Sequence, residues 1–161
     1  MEKIVIVNEK DKIINSKERG TLSGPDIYRV SALWLENEKG EVLLGKRVKT
    51  KHKNPGLWGP AVEGTVDSNE TYEENIKRET KEELGLENLE IKKLKKQRVT
   101  DPYNHFTQWF FAKMDDENFK IQKEEVERIK WFSKEELNSL VKEDSPELIK
   151  SLKDFIKNDF N

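Results

Sequence analysis

The chain has no cysteine. That excludes disulfides, thiolate metal sites and cysteine nucleophiles together. Histidine is almost as scarce. His52 and His105 are the two, and they are not spaced like a pair of metal ligands. No segment approaches the roughly 18 apolar residues a membrane-spanning helix needs, so no membrane partner is expected. The opening MEKIVIV has a charge pair and a short apolar run, and does not read as a signal peptide. A cytoplasmic location is the expectation. An excess of one charge is also missing. Lys and Arg number 30 against 32 Asp and Glu, for a net charge of −2, which argues against a polyanion-binding protein. The one basic stretch, KKLKKQR from Lys92 to Arg98, has no nucleic-acid motif around it.

What the chain has in quantity is mixed charge, which reads as a soluble surface. Its 161 residues suit one domain with a proper core, and no repeat, low-complexity tract or linker divides it. Lys3–Val7 and Lys12–Ile14 read as strands of a hairpin turning at Asn8 to Asp11. A polar stretch with Gly20, Gly24 and Pro25 sets off residues 1–27 as an N-terminal hairpin extension. Arg29–Leu35 and Val42–Gly45 read as strands joined at Glu38 to Gly40, and Asn54-Pro55-Gly56 as a loop. Leu57–Val62 leads into a helix. Leu89–Lys96, Phe106–Lys113 and Ile129–Phe132 read as strands, and Glu135–Val141 and Pro146–Lys157 as helices. The order implies an α/β fold with mixed strands and flanking helices. Trp34, Trp58, Trp109 and Phe111 are expected in the core or in its walls, and Trp131 anchors the last strand.

The chemistry concentrates between Gly64 and Leu86, GTVDSNETYEENIKRETKEELGL. Thr71 followed by Glu74 is a capping-box pair, and Gly85 suits a left-handed C-terminal residue. The spacing predicts a helix over Tyr72–Leu84. At about 100° per residue, Glu79, Glu82 and Glu83 share one arc, while Ile76, Thr80 and Leu84 face a core on the next. Acidic pairs on helices are ordinarily solvated. Three crowded carboxylates, however, repel unless protons or a cation neutralise them. All-oxygen ligands suit Mg²⁺ or Mn²⁺ rather than zinc.

In order and spacing, residues 64–86 resemble the signature of the Nudix hydrolases: glycine, a loop acid, Arg-Glu, Glu-Glu, then glycine and an apolar residue. Thr80 departs, standing where the family has an apolar residue. The resemblance implies an α/β/α sandwich with a mixed β-sheet and the motif helix packed between sheets. It implies that Glu79, Glu82 and Glu83 hold metal ions gripping a diphosphate, with the backbone carbonyl of Glu63 joining them. It implies that Arg78 pairs with Glu70 and braces the loop, with Gly64 and Gly85 as structural positions of the motif. The activity implied is metal-dependent cleavage of the diphosphate linkage in a nucleoside diphosphate linked to another group, X. Glu79 is the expected base. Some relatives take the base from a distal loop, for which Glu124, Glu125 and Glu127 are the candidates. Arg47 and Lys46, at a strand end, are candidate phosphate contacts, and His105, in the DPYNHF loop, is a candidate substrate contact. The partner expected is a small-molecule diphosphate, and a homodimer is left open.

A second resemblance runs over most of the chain. IYRVSALWLENEKGEVLLGKR and NPGLWGPAVEGTV are similar to the bacterial isopentenyl-diphosphate isomerases, a branch of the same fold. That branch uses a catalytic cysteine and histidine ligands. Aligned without gaps, the cysteine falls on Glu63 and the histidines on Thr65 and Tyr28, while two later acids fall near Asn104 and Phe106. Hydrolysis is therefore the expected activity. The alternatives are an isomerase-like protein and a non-catalytic nucleotide-binding domain.

Overall fold

A computed structural model of the chain describes residues 2–115 and 118–159. The strands are β1 (Lys3–Val7), β2 (Ile13–Glu18), β3 (Ile27–Glu36), β4 (Val42–Arg47), β5 (Trp58–Pro60) and β6 (Val62–Thr65), followed by the helix α1 (Tyr72–Leu84). Next come β7 (Lys92–Val99), β8 (His105–Lys113), β9 (Val126–Phe132), α2 (Lys134–Lys142) and α3 (Lys150–Asp159).

The long strand β3 organises the molecule. It runs parallel to β8 from Tyr28↔His105 to Glu36↔Lys113, and antiparallel to β6 on its other edge, from Val30↔Thr65 to Leu33↔Val62. β7 extends the β8 edge, and β5 and β9 flank β4, all antiparallel. The sheet is therefore mixed, as the element order implied. Strand side chains alternate between faces, and both faces of β3 are buried. Leu33 and Leu35 enter a core with Val62, Ile76 and Leu84, under α1. Ala32 and Trp34 enter a second core with Trp109, Leu152 and Phe155, under α3. In that second core the Trp109 and Phe155 rings stack with centroids 3.9 Å apart. Helices thus cover both sides of the strands. Thr80 is accommodated in the first core because its hydroxyl donates to the Ile76 carbonyl at 2.6 Å. Phe111 is half-buried at the edge of the second core, and Trp131 packs on Phe119 beside the first.

The N-terminal hairpin is present, and its turn is held by Asn8 Oδ1, which accepts from the Lys10 and Lys12 amides. It is more closely joined to the rest than its sequence implied. Ile4 to Val7 are buried, and β1 pairs with β3 at Ile6↔Tyr28. β2 runs on to Glu18, beyond the expected end at Ile14, because it follows β1 back to Lys3. The basic stretch Lys92 to Arg98 lies within β7, which runs on to Val99, beyond the expected strand end at Lys96. Its charges meet acids: Lys93 with Glu73, Lys96 with Asp11, Arg98 with Glu9. The last helix begins at Lys150 rather than near Pro146. The intervening segment is drawn onto β5, where the Trp58 amide donates to the Glu147 carbonyl at 2.8 Å and the Ile149 amide to the Trp58 carbonyl at 3.0 Å.

Candidate active site

The helix α1 begins and ends as its sequence implies. Thr71 accepts from the Glu74 amide, and the Glu74 side chain accepts from the Thr71 amide. Gly85 closes the helix at φ 71°, its N–H donating to Lys81. The loop before the helix is fastened from below. Asn75 is fully buried and donates to the Thr65 carbonyl at 3.0 Å and to Glu70 at 2.6 Å. Ser31 of β3 donates to the Tyr72 carbonyl. These bonds carry the loop and the first turn of the helix as one piece on the central strand.

Arg78 is the hub of the acidic face. Its guanidinium meets Glu70 in a two-pronged contact, Nε–Oε2 3.1 Å and Nη2–Oε1 2.9 Å. Its Nη1 lies 3.1 Å from Glu79 and 3.1 Å from Glu82. Burial alone would raise the Glu70 carboxyl. The Arg78 guanidinium, the Asp67 amide and Asn75 outweigh it and hold Glu70 below the ordinary range.

Glu79 behaves oppositely. Burial pushes its carboxyl up to about 7 in spite of Arg78, and the charges of Glu82 and Glu70 push the same way. Glu83 is 8% exposed, and burial together with the charge of Glu79 raises it well above the usual carboxylate range. One backbone donor opposes this: the Glu63 amide lies 3.2 Å from Glu83 Oε2. Gly64 makes room for the group. A Cβ there would sit 2.5 Å from Glu79 Cδ.

These acids line one wall of a cleft of about 650 Å³. Arg19, Arg47, Lys51 and Lys53 also line it. Arg47 lies 3.6 Å from Glu63, and Lys51 is paired with Glu125. The cleft thus sets a carboxylate wall beside a set of cations, an arrangement suited to a polyanion held with a divalent cation.

The donors fit such a cation in kind. They are oxygens, and the carboxyls of Glu79 and Glu83 stay raised despite Arg78 and Lys51, so ionising both in so buried a place calls for further positive charge. Among the described residues no three acidic or histidine side chains converge as a ready-made metal cage. Glu82, half exposed, is turned to Arg78 instead.

A family model described as the NUDIX domain matches residues 26–155. The chain belongs to the Nudix family. The Nudix hydrolase lmo0368 of Listeria monocytogenes is 31% identical over 148 residues, covering 87% of this chain and 85% of its own. The Nudix hydrolase YfcD of Escherichia coli K12 is 25% identical over 152 residues, covering 94% and 84%. Both are named as uncharacterized. Among solved structures, DR0079 from Deinococcus radiodurans superposes with a TM-score of 0.86 at 23% identity, covering 99% of this chain and 100% of its own. The NUDIX domain of Shewanella oneidensis NrtR, complexed with ADP ribose, superposes at 0.63 with 21% identity, covering 88% and 90%. The fold is the α/β Nudix fold.

The residues named from the Nudix signature divide clearly. Glu63, Gly64, Arg78, Glu79, Glu82 and Glu83 all line the cleft. Glu70 and Gly85 sit behind it, as a brace and a helix end. Arg47 lines the cleft, but Lys46 does not. Neighbouring strand residues face opposite ways, and Lys46 meets Glu127 at 3.4 Å. Glu125 lines the cleft, whereas Glu124 is exposed outside it. His105 lines the cleft but is 7% exposed, tucked against Tyr28 with ring centroids 5.0 Å apart. Burial, then the Lys53 charge, lowers it to about 4, so it is a neutral wall group at neutral pH. Glu63, Thr65 and Tyr28, where the isomerase cysteine and histidines would fall, also line the cleft.

Arg19, Lys53 and Tyr103 were not singled out from the sequence. Lys53 lay inside a lysine-rich loop that reads as solvated charge. Arg19 follows the hairpin, and Tyr103 precedes β8. Nothing local to Arg19 signals a place in a cleft, whereas Tyr103 shares the DPYNHF loop from which only His105 was named.

Proposed function

We propose that the protein, as one Nudix domain, is a Mg²⁺- or Mn²⁺-dependent hydrolase. Its substrate is a nucleoside diphosphate linked to a further group, cleaved at the diphosphate. The observation that carries this reading is the pair Glu79 and Glu83, buried together in the cleft with their ionisation held back. Buried acids of this kind are functional-site candidates, and a divalent cation would restore their charge. Glu79, Glu82, Glu83 and Glu63 are the residues that would hold it. A bound divalent ion supplies charge neutralisation on the diphosphate and acidifies an attacking water.

The chain's own groups do the rest. Arg47 and Lys51 line the same cleft and meet phosphate oxygens. Glu79 takes the proton from water as its oxygen bonds to phosphorus. The bridging P–O bond breaks, and its electrons leave with the departing phosphate. Arg78 positions Glu79 and anchors the loop through Glu70. His105, buried and lowered to about 4, is a neutral wall group rather than the base. A chain without cysteine, with Glu63, Thr65 and Tyr28 at the corresponding positions, lacks the isomerase groups. The likeness to a domain complexed with ADP ribose, a nucleoside diphosphate joined to a sugar, supports the substrate class.

A panel of diphosphate compounds, assayed with Mg²⁺ or Mn²⁺ and with phosphate release read after coupling to a phosphatase, tests this. Turnover that chelator abolishes is expected. Full turnover in excess chelator, or none across the panel, would overturn it.

A further inference from the structure

Lys53 differs from the other cations of the cleft. Arg19, Arg47, Lys51 and Arg78 each have a carboxylate partner: Glu2, Glu63, Glu125 and Glu70. Among the described residues none lies within ion-pair distance of the Lys53 ammonium. It is held instead by aromatic groups. Nζ donates to the Tyr28 hydroxyl at 2.6 Å, sits 4.0 Å from the Tyr28 ring centroid, and lies 5.4 Å from that of Tyr103. Both rings line the cleft with it. Ring faces attract a cation but carry no formal charge, and the charge of Glu63 acts on Lys53 only from beyond ion-pair distance.

The Tyr28 hydroxyl accepts from Lys53, so its own proton points elsewhere. No protein acceptor for that proton occurs among the described residues. Burial, with the charge of Glu63, raises Tyr28 above its ordinary value, so it stays a donor. Desolvation also lowers Lys53 to about 8. The ammonium gives one of its three N–H groups to Tyr28; its other N–H groups and the Tyr28 O–H converge with no carboxylate of the described residues at ion-pair distance. Desolvated donors of this kind favour an anion, because no carboxylate among the described residues pairs directly with them.

We propose that Lys53 and Tyr28, backed by Tyr103, form an anion subsite selecting substrates with a phosphate or carboxylate outside the diphosphate linkage. The inference rests on the cleft holding a diphosphate compound. Hydrolysis at the carboxylate wall uses other residues. The subsite decides which linked compounds enter and how they lie.

Two pairs of probes differ by one such anion: NADPH against NADH, by a ribose phosphate, and UDP-glucuronate against UDP-glucose, by a carboxylate on the sugar. Binding is read by titration calorimetry with Ca²⁺ and again in chelator, so that it is separate from turnover. The anionic member of at least one pair is expected to bind about tenfold more tightly, the scale of one charge-assisted contact. Which pair shows it tells phosphate from carboxylate. In Lys53→Gln the ratio falls to within about twofold, while the neutral member keeps its affinity and the unfolding midpoint stays. Lys53→Arg keeps most of the preference. Tyr28→Phe, which retains the ring, loses part of it. A wild-type protein with no preference in either pair overturns the proposal. So does a preference that survives Lys53→Gln, or failure of all four probes to bind. A preference that stands while none of the four is turned over with Mg²⁺ would leave the subsite and remove the hydrolase reading.

Discussion

Gly64 and Glu79 occupy adjoining space. A methyl group on residue 64 would stand 2.5 Å from both Cγ and Cδ of Glu79, well inside van der Waals contact. Gly64 has no left-handed backbone there, so the need for glycine is purely one of room. The atoms in the way are side-chain atoms of Glu79 from Cγ outward, not backbone, so the whole carboxylate arm must turn away while the strand and helix backbones stay in place.

Gly64→Ala should therefore separate stability from activity. The unfolding midpoint is expected to move by less than about 1 kcal/mol, because no core contact is lost. The kcat is expected to fall by about 10² or more, since Glu79 is pushed from its position beside Arg78. Urea unfolding and steady-state rates on a validated diphosphate substrate measure the two. Full activity in the variant would mean that the observed Glu79 rotamer has no part in the reaction.

The Arg78–Glu70 brace makes a prediction about coupling. Arg78→Ala and Glu70→Ala each remove one side of a two-pronged contact, and Glu70 is 12% exposed. Arg78 is 34% exposed, so water screens part of the pair. A double-mutant cycle is expected to show coupling of about 1 kcal/mol, the double variant being less destabilised than the two single effects summed. Additive effects in urea unfolding would mean that each residue acts through other partners, such as Asn75 for Glu70.

Much of this site was legible in the residues alone. The bounds of the motif helix followed from Thr71, Glu74 and Gly85, because caps are local chemistry. The burial of Thr80 followed from its place between Ile76 and Leu84. What could not be read was whatever depends on chain segments meeting at a distance. Lys53 read as one charge of a lysine-rich loop, and the fold brings it into the cleft beside Arg47, which the strand end had suggested. Lys46, beside Arg47, was named with it and faces away, since one residue of strand register decides the side. His105 read as a loop residue and starts β8, buried by its parallel pairing with Tyr28. The segment before Lys150 carries helix-forming residues, yet β5 captures it through Trp58.

His105 supplies a pH-dependent contribution to stability. Its folded value is about 4, against about 6.5 unfolded. Above pH 6.5 both states are neutral and the residue adds no pH dependence. As pH falls from 6.5 to 4 the unfolded chain takes up the proton first, so stability falls across that window and levels off below it. The upper limit is about 3 kcal/mol at 1.4 kcal/mol per unit. Urea midpoints at pH 7.5 and 4.5 should drop less in His105→Gln than in the wild type. Equal drops would show that the imidazole titrates normally in the folded protein.

Glu83 gives the complementary case. Its folded carboxyl is raised by burial and by Glu79, so the unfolded state releases its proton more readily. Stability from this group is therefore full below the unfolded value near 4.5 and declines as pH rises above it. At pH 8 without divalent metal, Glu83→Gln should be more stable than wild type, because an amide needs no counter-charge. A gain of about 1 kcal/mol would appear as roughly 2–4 °C in Tm. Adding Mg²⁺ or Mn²⁺ should raise the wild-type Tm, since a ligand bound only to the folded state stabilises it, and should raise that of Glu83→Gln less. The variant's kcat is expected to fall by about 10² or more, through weakened stabilisation of the transition-state charge. The stability gain and the activity loss have one origin: a carboxylate kept where the protein alone holds it poorly. Scanning calorimetry at pH 8, with and without metal, reads the first half of the argument independently of any substrate. A wild type whose Tm neither rises with metal nor trails the variant without it would remove Glu83 from the metal site.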